Sequence, residues 1–332
     1  MPFALWVAEA RARAPGTAWR AVAARWALGS GLMLGAVASH AAGMGFCQGS
    51  NEPDAAAQDR LIQVADVLRA ALYRSGHRAA IVARSGLSLQ RLGQRYSHAG
   101  VALRDGTDTP WAVRQLYFDC NADKPRLFDQ GLAGFVMGVN DAADIRVFAL
   151  LLPPQAEAPL LQAATDDQVA LSLLGSTYSA SAHAYGLRYQ NCNQWLAELL
   201  ATAWASPLRA RSQVPDGADP VTHARQQAQE QLWRQGYRPT EVNLKWQPLV
   251  WLARLSPWLH TDDHPPADAA AARFRVSLPE DVARWVRASH PGTDRIELCT
   301  TGQQVVLRRG WEPLGPGCEA MEGDDIHTLV TN

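Results

Sequence analysis

The apolar positions change period several times along the chain. Over 54–75, Leu61, Val64, Leu68 and Leu72 recur at helical spacing and predict an amphipathic helix. Residues 79–83 form a short, uniformly apolar strand. Two more strands fall at 96–103 and 111–118, and the turn formers Asp105-Gly106-Thr107-Asp108-Thr109-Pro110 between them predict a hairpin. A fourth strand, 145–152, stops at Pro153-Pro154, and helical stretches follow around 155–164 and 166–174. A polar, aromatic segment then leads into the strongest helical pattern of the chain, which starts at Cys192 and runs to about Ala205. Its residues Trp195, Leu196, Leu199, Leu200, Ala203 and Trp204 repeat on one face.

Beyond Ser206 the character changes. Pro207, Pro215, Gly217 and Pro220 mark a linker, and 221–236 is a polar helix. Trp246, Leu249, Trp251, Leu252, Leu255 and Trp258 predict a helix or paired short helices over 245–260, laid on a core. Ser277-Leu278-Pro279-Glu280 is a capping box opening a helix that ends near Ala288. The runs 296–300 and 303–308 alternate around Thr301-Gly302 as a hairpin. The pattern is that of an α+β protein. It divides into a domain over 42–206 and a C-terminal α+β extension over 207–332, which is either an appendage or part of the same domain.

Composition narrows the function classes. With 47% hydrophobic and 19% charged residues, the chain is globular. A formal net charge of −1 and the absence of a Lys/Arg-rich run give no support to nucleic acid as a partner, because neutralising phosphates needs a basic face. The first 41 residues have the form of an export signal. Arg11, Arg13, Arg20 and Arg25 precede a 13-residue apolar run at 26–38 and small residues through Ala42. That run is shorter than the ~20 residues a spanning helix needs, so we expect an exported, periplasmic protein with no stable membrane span after cleavage.

Export bears on the five cysteines, Cys47, Cys120, Cys192, Cys299 and Cys318. An odd number leaves at least one thiol without an intrachain partner in an oxidising compartment. Sequence proximity favours Cys299–Cys318 and leaves Cys47–Cys120. Cys192 is expected to be the free thiol for the chemistry argued below; the other four can pair in three ways, and five buried thiols are the structural alternative.

Three residues carry the candidate chemistry. In Tyr189-Gln190-Asn191-Cys192-Asn193-Gln194-Trp195, Asn191 is an N-cap and Gln194 lies three residues on, as in a capping box. Cys192 falls in the first helical turn, where the dipole and unpaired N–H groups favour thiolate. Its pKa is expected below the free value of about 8.5, and the same N–H groups are placed to hold an oxyanion. A buried, inert cysteine is the competing explanation. His98, in Tyr96-Ser97-His98-Ala99-Gly100, sits in a strand of small residues and is the candidate base; Gly100 permits close approach of another backbone. Alternation along the next strand puts Trp111, Val113, Gln115 and Tyr117 on one side, and Gln115 is the candidate orienter of the imidazole. A core histidine bonded to a carbonyl and an edge-exposed glutamine are the structural alternatives.

Weaker candidates are Tyr189 and Gln190 as oxyanion donors and His183 as a residue lining the cleft. Ser97 bonds the ring or its own backbone, and Asp129 caps a short helix. His260, Asp262, Asp263 and His264 resemble metal ligands but lack zinc spacing and are read as a solvated loop. No metal or cofactor is expected.

These segments resemble known families. His-Ala-Gly-Val on a strand, a polar residue on the next strand, and Asn-Cys opening a helix resemble the circularly permuted, NlpC-like papain fold and the lecithin:retinol acyltransferase group. Residues 94–100, 127–132 and 189–195 are similar to a bacterial domain of unknown function numbered 2145. The resemblance implies an antiparallel sheet packed on the Cys192 helix. It also implies a Cys–His pair acting on an amide, ester or thioester carbonyl through an acyl-enzyme, with cell-wall peptide or an acyl group as the envelope substrate. Gln115 is a softer third residue than that superfamily's usual histidine or acid. The other reading is a degenerate papain-like module that binds or assembles in the envelope.

Overall fold

The computed structural model describes residues 53–87, 89–106, 109–205, 214–244, 256 and 258–330. The expected export signal, Cys47 and most of the expected 245–260 helix lie outside the described residues. Asp54 accepts a hydrogen bond from the Ala57 N–H and starts α1 (Ala55–Ser75), which Gly76 ends in the left-handed conformation that a glycine adopts without strain. Then come β1 (Ala79–Arg84), β2 (His98–Leu103), β3 (Ala112–Asp119), β4 (Lys124–Gln130), α2 (Leu132–Met137), β5 (Arg146–Leu151), α3 (Pro154–Thr165), α4 (Asp167–Ser172) and α5 (Cys192–Ala203). The remaining elements are α6 (Pro220–Arg234), β6 (Thr240–Asn243), α7 (Pro266–Ala270), β7 (Arg273–Val276), α8 (Pro279–Ser289), β8 (Asp294–Thr301), β9 (Gln304–Arg309) and β10 (Asp325–Thr328).

Eight strands form one antiparallel sheet in the order β10-β9-β8-β5-β1-β2-β3-β4, and β6 pairs with β7 separately. The expected hairpins both form: Leu103 faces Ala112 across β2–β3, and Thr301 faces Gln304 across β8–β9. Three of the eight strands come from the segment expected as a C-terminal extension. They pair onto β5, in the middle of the sheet, so Pro53–Asn332 is one compact unit and 207–332 is part of it. Strand β1 is buried along its whole length because both faces are covered.

One face packs on α1 and α2. Leu61, Leu68 and Leu72 meet Ala80, Val82, Val113, Val147 and Leu298, with Leu132, Phe135 and Val136 closing the end. The other face meets α5, which packs against β2 and β3 and is backed by α3, α6 and α8. The sequence predicts one apolar face for α5, yet every residue from Cys192 to Ala201 is buried. Its polar side is covered by α6, whose Arg225 bonds the Glu198 carboxylate at 3.0 Å.

Three local expectations are corrected. Asp129 lies in β4 and pairs with Arg114 at 2.6 Å; the helix after it starts at Gly131 with no side-chain cap. The 277–280 capping box is shifted by one residue: Leu278 is the N-cap, and Asp281 accepts its N–H at 2.9 Å. The 260–264 loop is not solvated throughout, because His264 is buried and its Nε2 donates to the Ser181 carbonyl at 2.8 Å.

Cys299 and Cys318 form a disulfide across a separation of 19 residues, with Cα atoms 5.8 Å apart, inside a small cluster with Val306 and Leu314. Loss of the loop constraint in Cys318→Ser should lower unfolding free energy by about 2–4 kcal/mol. The measurement is non-reducing urea denaturation; reduced wild type should lose more, because Cys120 is also disulfide-bonded.

Candidate functional site

Asn191 caps α5 as expected, its side-chain oxygen accepting the Gln194 N–H at 2.8 Å. The reciprocal half of the capping box is not made. Gln194 instead donates to the carbonyls of His183, Ala184 and Gly186, so it holds the preceding loop against the helix. Cys192 is the first residue of α5, carries a free thiol and is 5% exposed. Its sulfur lies 4.0 Å from the Ser97 carbonyl oxygen, and it also draws on the Ala99 N–H. The thiol therefore sits against the β2 backbone on either side of His98. Asn193 locks this contact, donating to Ser97 at 3.1 Å and to Ser277 at 3.2 Å.

Access for the helix comes from a parting of strands. The β2–β3 register runs only from Val101–Arg114 to Leu103–Ala112, while His98 and Ala99 remain paired to β1. Gly100 stands at the fork, where a Cβ would lie 2.7 Å from the Arg114 carbonyl oxygen. Only glycine lets β3 approach β2 this closely.

His98 is 8% exposed, and its Nε2 is 2.7 Å from Gln115 Oε1. An amide oxygen only accepts, so Nε2 carries the proton and the lone pair lies on Nδ1. Gln115 is itself fixed by donating to Gln130 Oε1 at 3.0 Å. The His98 ring packs against Tyr117, with centroids 4.6 Å apart, and more loosely against Phe135. Alternation from Ala102 and Val113 places His98, Gln115 and Tyr117 on the α1/α2 side of the sheet. Among the described residues the sulfur has no hydrogen bond to the imidazole; its hydrogen bond goes to Ser97.

The electrostatics reverse one expectation. Burial pushes the Cys192 thiol up to about 11; the N–H groups of Ala99, Asn193 and Cys192 and the Arg84 charge oppose this without overcoming it. The helix start does favour thiolate, but desolvation is larger. Burial, followed by the Arg84 charge, lowers His98 to about 3, against a raising effect from Gln115. Near neutral pH both groups rest uncharged, the Cys192 thiol and the His98 imidazole.

The structure brings Cys192 and the backbone around His98 together and joins His98 to Gln115. The other candidates are engaged elsewhere. Gln190 donates to the Leu173 carbonyl at 2.8 Å and to Glu198 at 2.7 Å, and accepts from the Gly175 N–H at 2.8 Å. It is a strut under α5. Tyr189 stacks on His260 at 4.6 Å. His183 donates its backbone N–H to Asp263 at 2.8 Å, and its ring, lowered to about 4 by burial, packs edge-on against His264. Ser97 accepts the Leu87 N–H at 3.0 Å through its hydroxyl. Among the described residues no group of three His, Cys, Asp or Glu side chains is placed to hold a metal ion.

Four residues at the site escaped the sequence reading. Gln130 orients Gln115, Asn193 ties α5 to β2, Tyr178 interacts electrostatically with Cys192, and Arg84 influences both Cys192 and His98. Arg84 alone left a trace in the sequence, as a charge ending an apolar strand.

Gln115→Leu should remove the acceptor that fixes the His98 tautomer while keeping the volume. Loss of this orienting bond should cut any His98-dependent reactivity of Cys192 by about tenfold or more. Peptide-resolved alkylation rates of the two proteins check this.

The fold and the site define a mixed α+β protein in which a helix-start thiol meets the start of a strand whose histidine is bonded to a glutamine on the next strand. The chain belongs to the bacterial family described as "Uncharacterized protein conserved in bacteria (DUF2145)", whose model matches residues 71–286, a stretch that includes Arg84, His98, Gln115 and Cys192. No curated protein and no solved structure matches the chain.

Proposed function

We propose that this protein is an exported thiol hydrolase or acyltransferase of papain-like, NlpC-like type, with Cys192 as nucleophile, His98 as base and Gln115 as orienter. The observation that carries the reading is the meeting of a free thiol at a helix start with the backbone flanking a histidine whose Nε2 is bonded to Gln115, which leaves the lone pair on Nδ1. His98 takes the thiol proton on Nδ1 as the sulfur attacks a carbonyl carbon. The oxyanion gathers on the N–H groups at the start of α5, and His98 returns its proton to the leaving amine or alkoxide. Water or another acceptor, deprotonated by His98, then releases the acyl group and restores the thiol. A neutral resting pair suits this, because the proton moves only as the carbonyl arrives. The Cys299–Cys318 disulfide is compatible with export, and among the described residues no helix is long and apolar enough to cross a membrane. The periplasm and a cell-wall peptide substrate are part of this proposal and follow from the resemblance.

The second reading, a binding or assembly module of the envelope, draws on the buried thiol and its raised pKa. One experiment separates the two. The protein is incubated with cell-wall peptides and, separately, with a short acyl thioester, then quenched in acid and weighed intact. An acyl adduct on Cys192 that is absent in Cys192→Ser and strongly reduced in His98→Ala supports the enzyme. No adduct and no product from either substrate, together with alkylation indifferent to His98, supports the binding module.

A further inference from the structure

Arg84 ends β1 as a buried cation without an acidic partner among the described residues. It is 4% exposed and takes part in none of the ion pairs of the described residues, whereas other buried arginines, such as Arg225 and Arg308, bond carboxylates. Its guanidinium donates to the Gly138 carbonyl, to the Ser85 carbonyl at 3.0 Å and to the Tyr117 hydroxyl at 2.6 Å, while Nε is buried with no partner. The place is cut for it by glycines: a Cβ at Gly86 would lie 2.8 Å from its Nη1, and one at Gly138 would overlap the guanidinium. Arg84 stands opposite His98 in the β1–β2 register, and Tyr117, which holds it, packs on the His98 ring.

A guanidinium does not shed its proton in a protein, and an uncompensated buried charge is costly. Such a charge is stabilised by an anion that forms nearby. The titratable groups related to it are His98 on β2, Tyr117 on β3 and Cys192 on α5, with Tyr178, in the loop before α5, behind Cys192 and Tyr117. Of these, only the thiol lies at a helix start where N–H groups also favour the anion. We propose that Arg84 is an electrostatic positioning residue that supplies the thiolate of Cys192 with its counter-charge and holds His98 in the neutral form that accepts a proton. In a Cys–His pair that depends on an ion pair, the imidazolium provides this charge; here a fixed guanidinium does. The inference rests on the Cys192–His98 reading above and adds the residue that sets its charge balance. The guanidinium and the residue the sulfur touches meet at Gly86, where a Cβ would lie 2.8 Å from Arg84 Nη1 and 2.7 Å from Ser97 Oγ; from there the Arg84 charge favours the Cys192 thiolate and disfavours the His98 imidazolium.

The test is iodoacetamide labelling of Cys192 in the intact, non-reduced protein from pH 7 to 11, read on the Cys192 peptide by mass spectrometry, with the His98 titration followed by NMR. Arg84→Met removes the charge and keeps the bulk; Gly138→Ala keeps the charge and displaces it. Both should move the alkylation profile to higher pH by about one unit, a roughly tenfold loss of rate at fixed pH, and should raise the His98 pKa. Arg84→Lys should recover part of the loss, which a purely structural role would not predict. If Arg84→Met fails to fold, Gly138→Ala decides. Labelling that depends on His98 but has the same pH profile in wild type, Gly138→Ala and Arg84→Met overturns the role of Arg84 alone. Labelling that ignores His98 in the wild type overturns the catalytic pair and this inference with it.

Discussion

His98→Ala should slow acyl transfer by Cys192 about 10²- to 10⁴-fold, the range general-base catalysis supplies, and Cys192→Ser should leave no acyl adduct. The size follows from the resting charges. With the thiol near 11, the spontaneous thiolate fraction at pH 7 is about 10⁻⁴, so turnover depends on a base that removes the proton during attack. Alkylation of the wild type should accordingly rise about tenfold per pH unit from 7 towards 10, in place of the plateau that a thiol below 8.5 would give. The histidine also leaves a mark on stability. Its folded pKa, near 3, lies below the free value of 6.5. Its contribution is therefore complete above about pH 6.5 and is lost as pH falls from there through 3. His98→Gln, neutral throughout, should flatten that acid limb in urea titrations between pH 7 and 3. A limb unchanged by the substitution would show that the ring is not held neutral by burial.

Arg225→Met should destabilise the fold by about 3–5 kcal/mol, the cost of leaving one member of a buried ion pair alone. Arg225 and Glu198 are 2% and 0% exposed at the side chain. Arg225 also donates to the carbonyls of Leu187, Gly186 and Tyr189, and Glu198 accepts from Gln190 and Gln229. The network thus fixes both the polar side of α5 and the loop that leads to the Asn191 cap. Burial raises the Glu198 pKa despite Arg225 and its amide partners. A raised folded pKa contributes stability below the unfolded value, and that contribution is lost as pH climbs through the folded one. Removing Arg225 raises it further, so the variant should be relatively more stable in mild acid than at neutral pH. Denaturant midpoints at pH 4.5 and 7.5 measure this. The double variant Arg225→Met with Glu198→Met should recover part of the loss, because no buried charge is then left unpaired.

The local parts of the site were legible because their signals are local. Asn191 and Cys192 are fixed by capping chemistry, which acts over three residues. The pairing of His98 with Gln115 follows from period-two alternation on two strands joined by an evident turn. The Cys299–Cys318 bridge follows from short separation. Strand β4 was missed because its exposed edge carries Lys124, Arg126, Asp129 and Gln130 and has no apolar alternation to read. For the same reason the sequence offers Asp129 as a helix cap, although its partner is Arg114, 15 residues back.

By itself the sequence determined which residues open the helix, which strands form hairpins and which thiol stays unpaired, since each rests on backbone geometry or contacts between near neighbours. Tertiary structure alone decided the charge state of the site and the unity of the fold. The thiol pKa is set by how much protein covers the helix start, and that cover includes the Ser97–Ala99 backbone and the loop carrying Ser277, both far away in the chain. Desolvation grows with every layer packed from elsewhere, whereas the dipole that opposes it is confined to one helical turn. The same long-range closure brought β8, β9 and β10 into the sheet and left Arg84 buried opposite His98 without an acidic partner among the described residues.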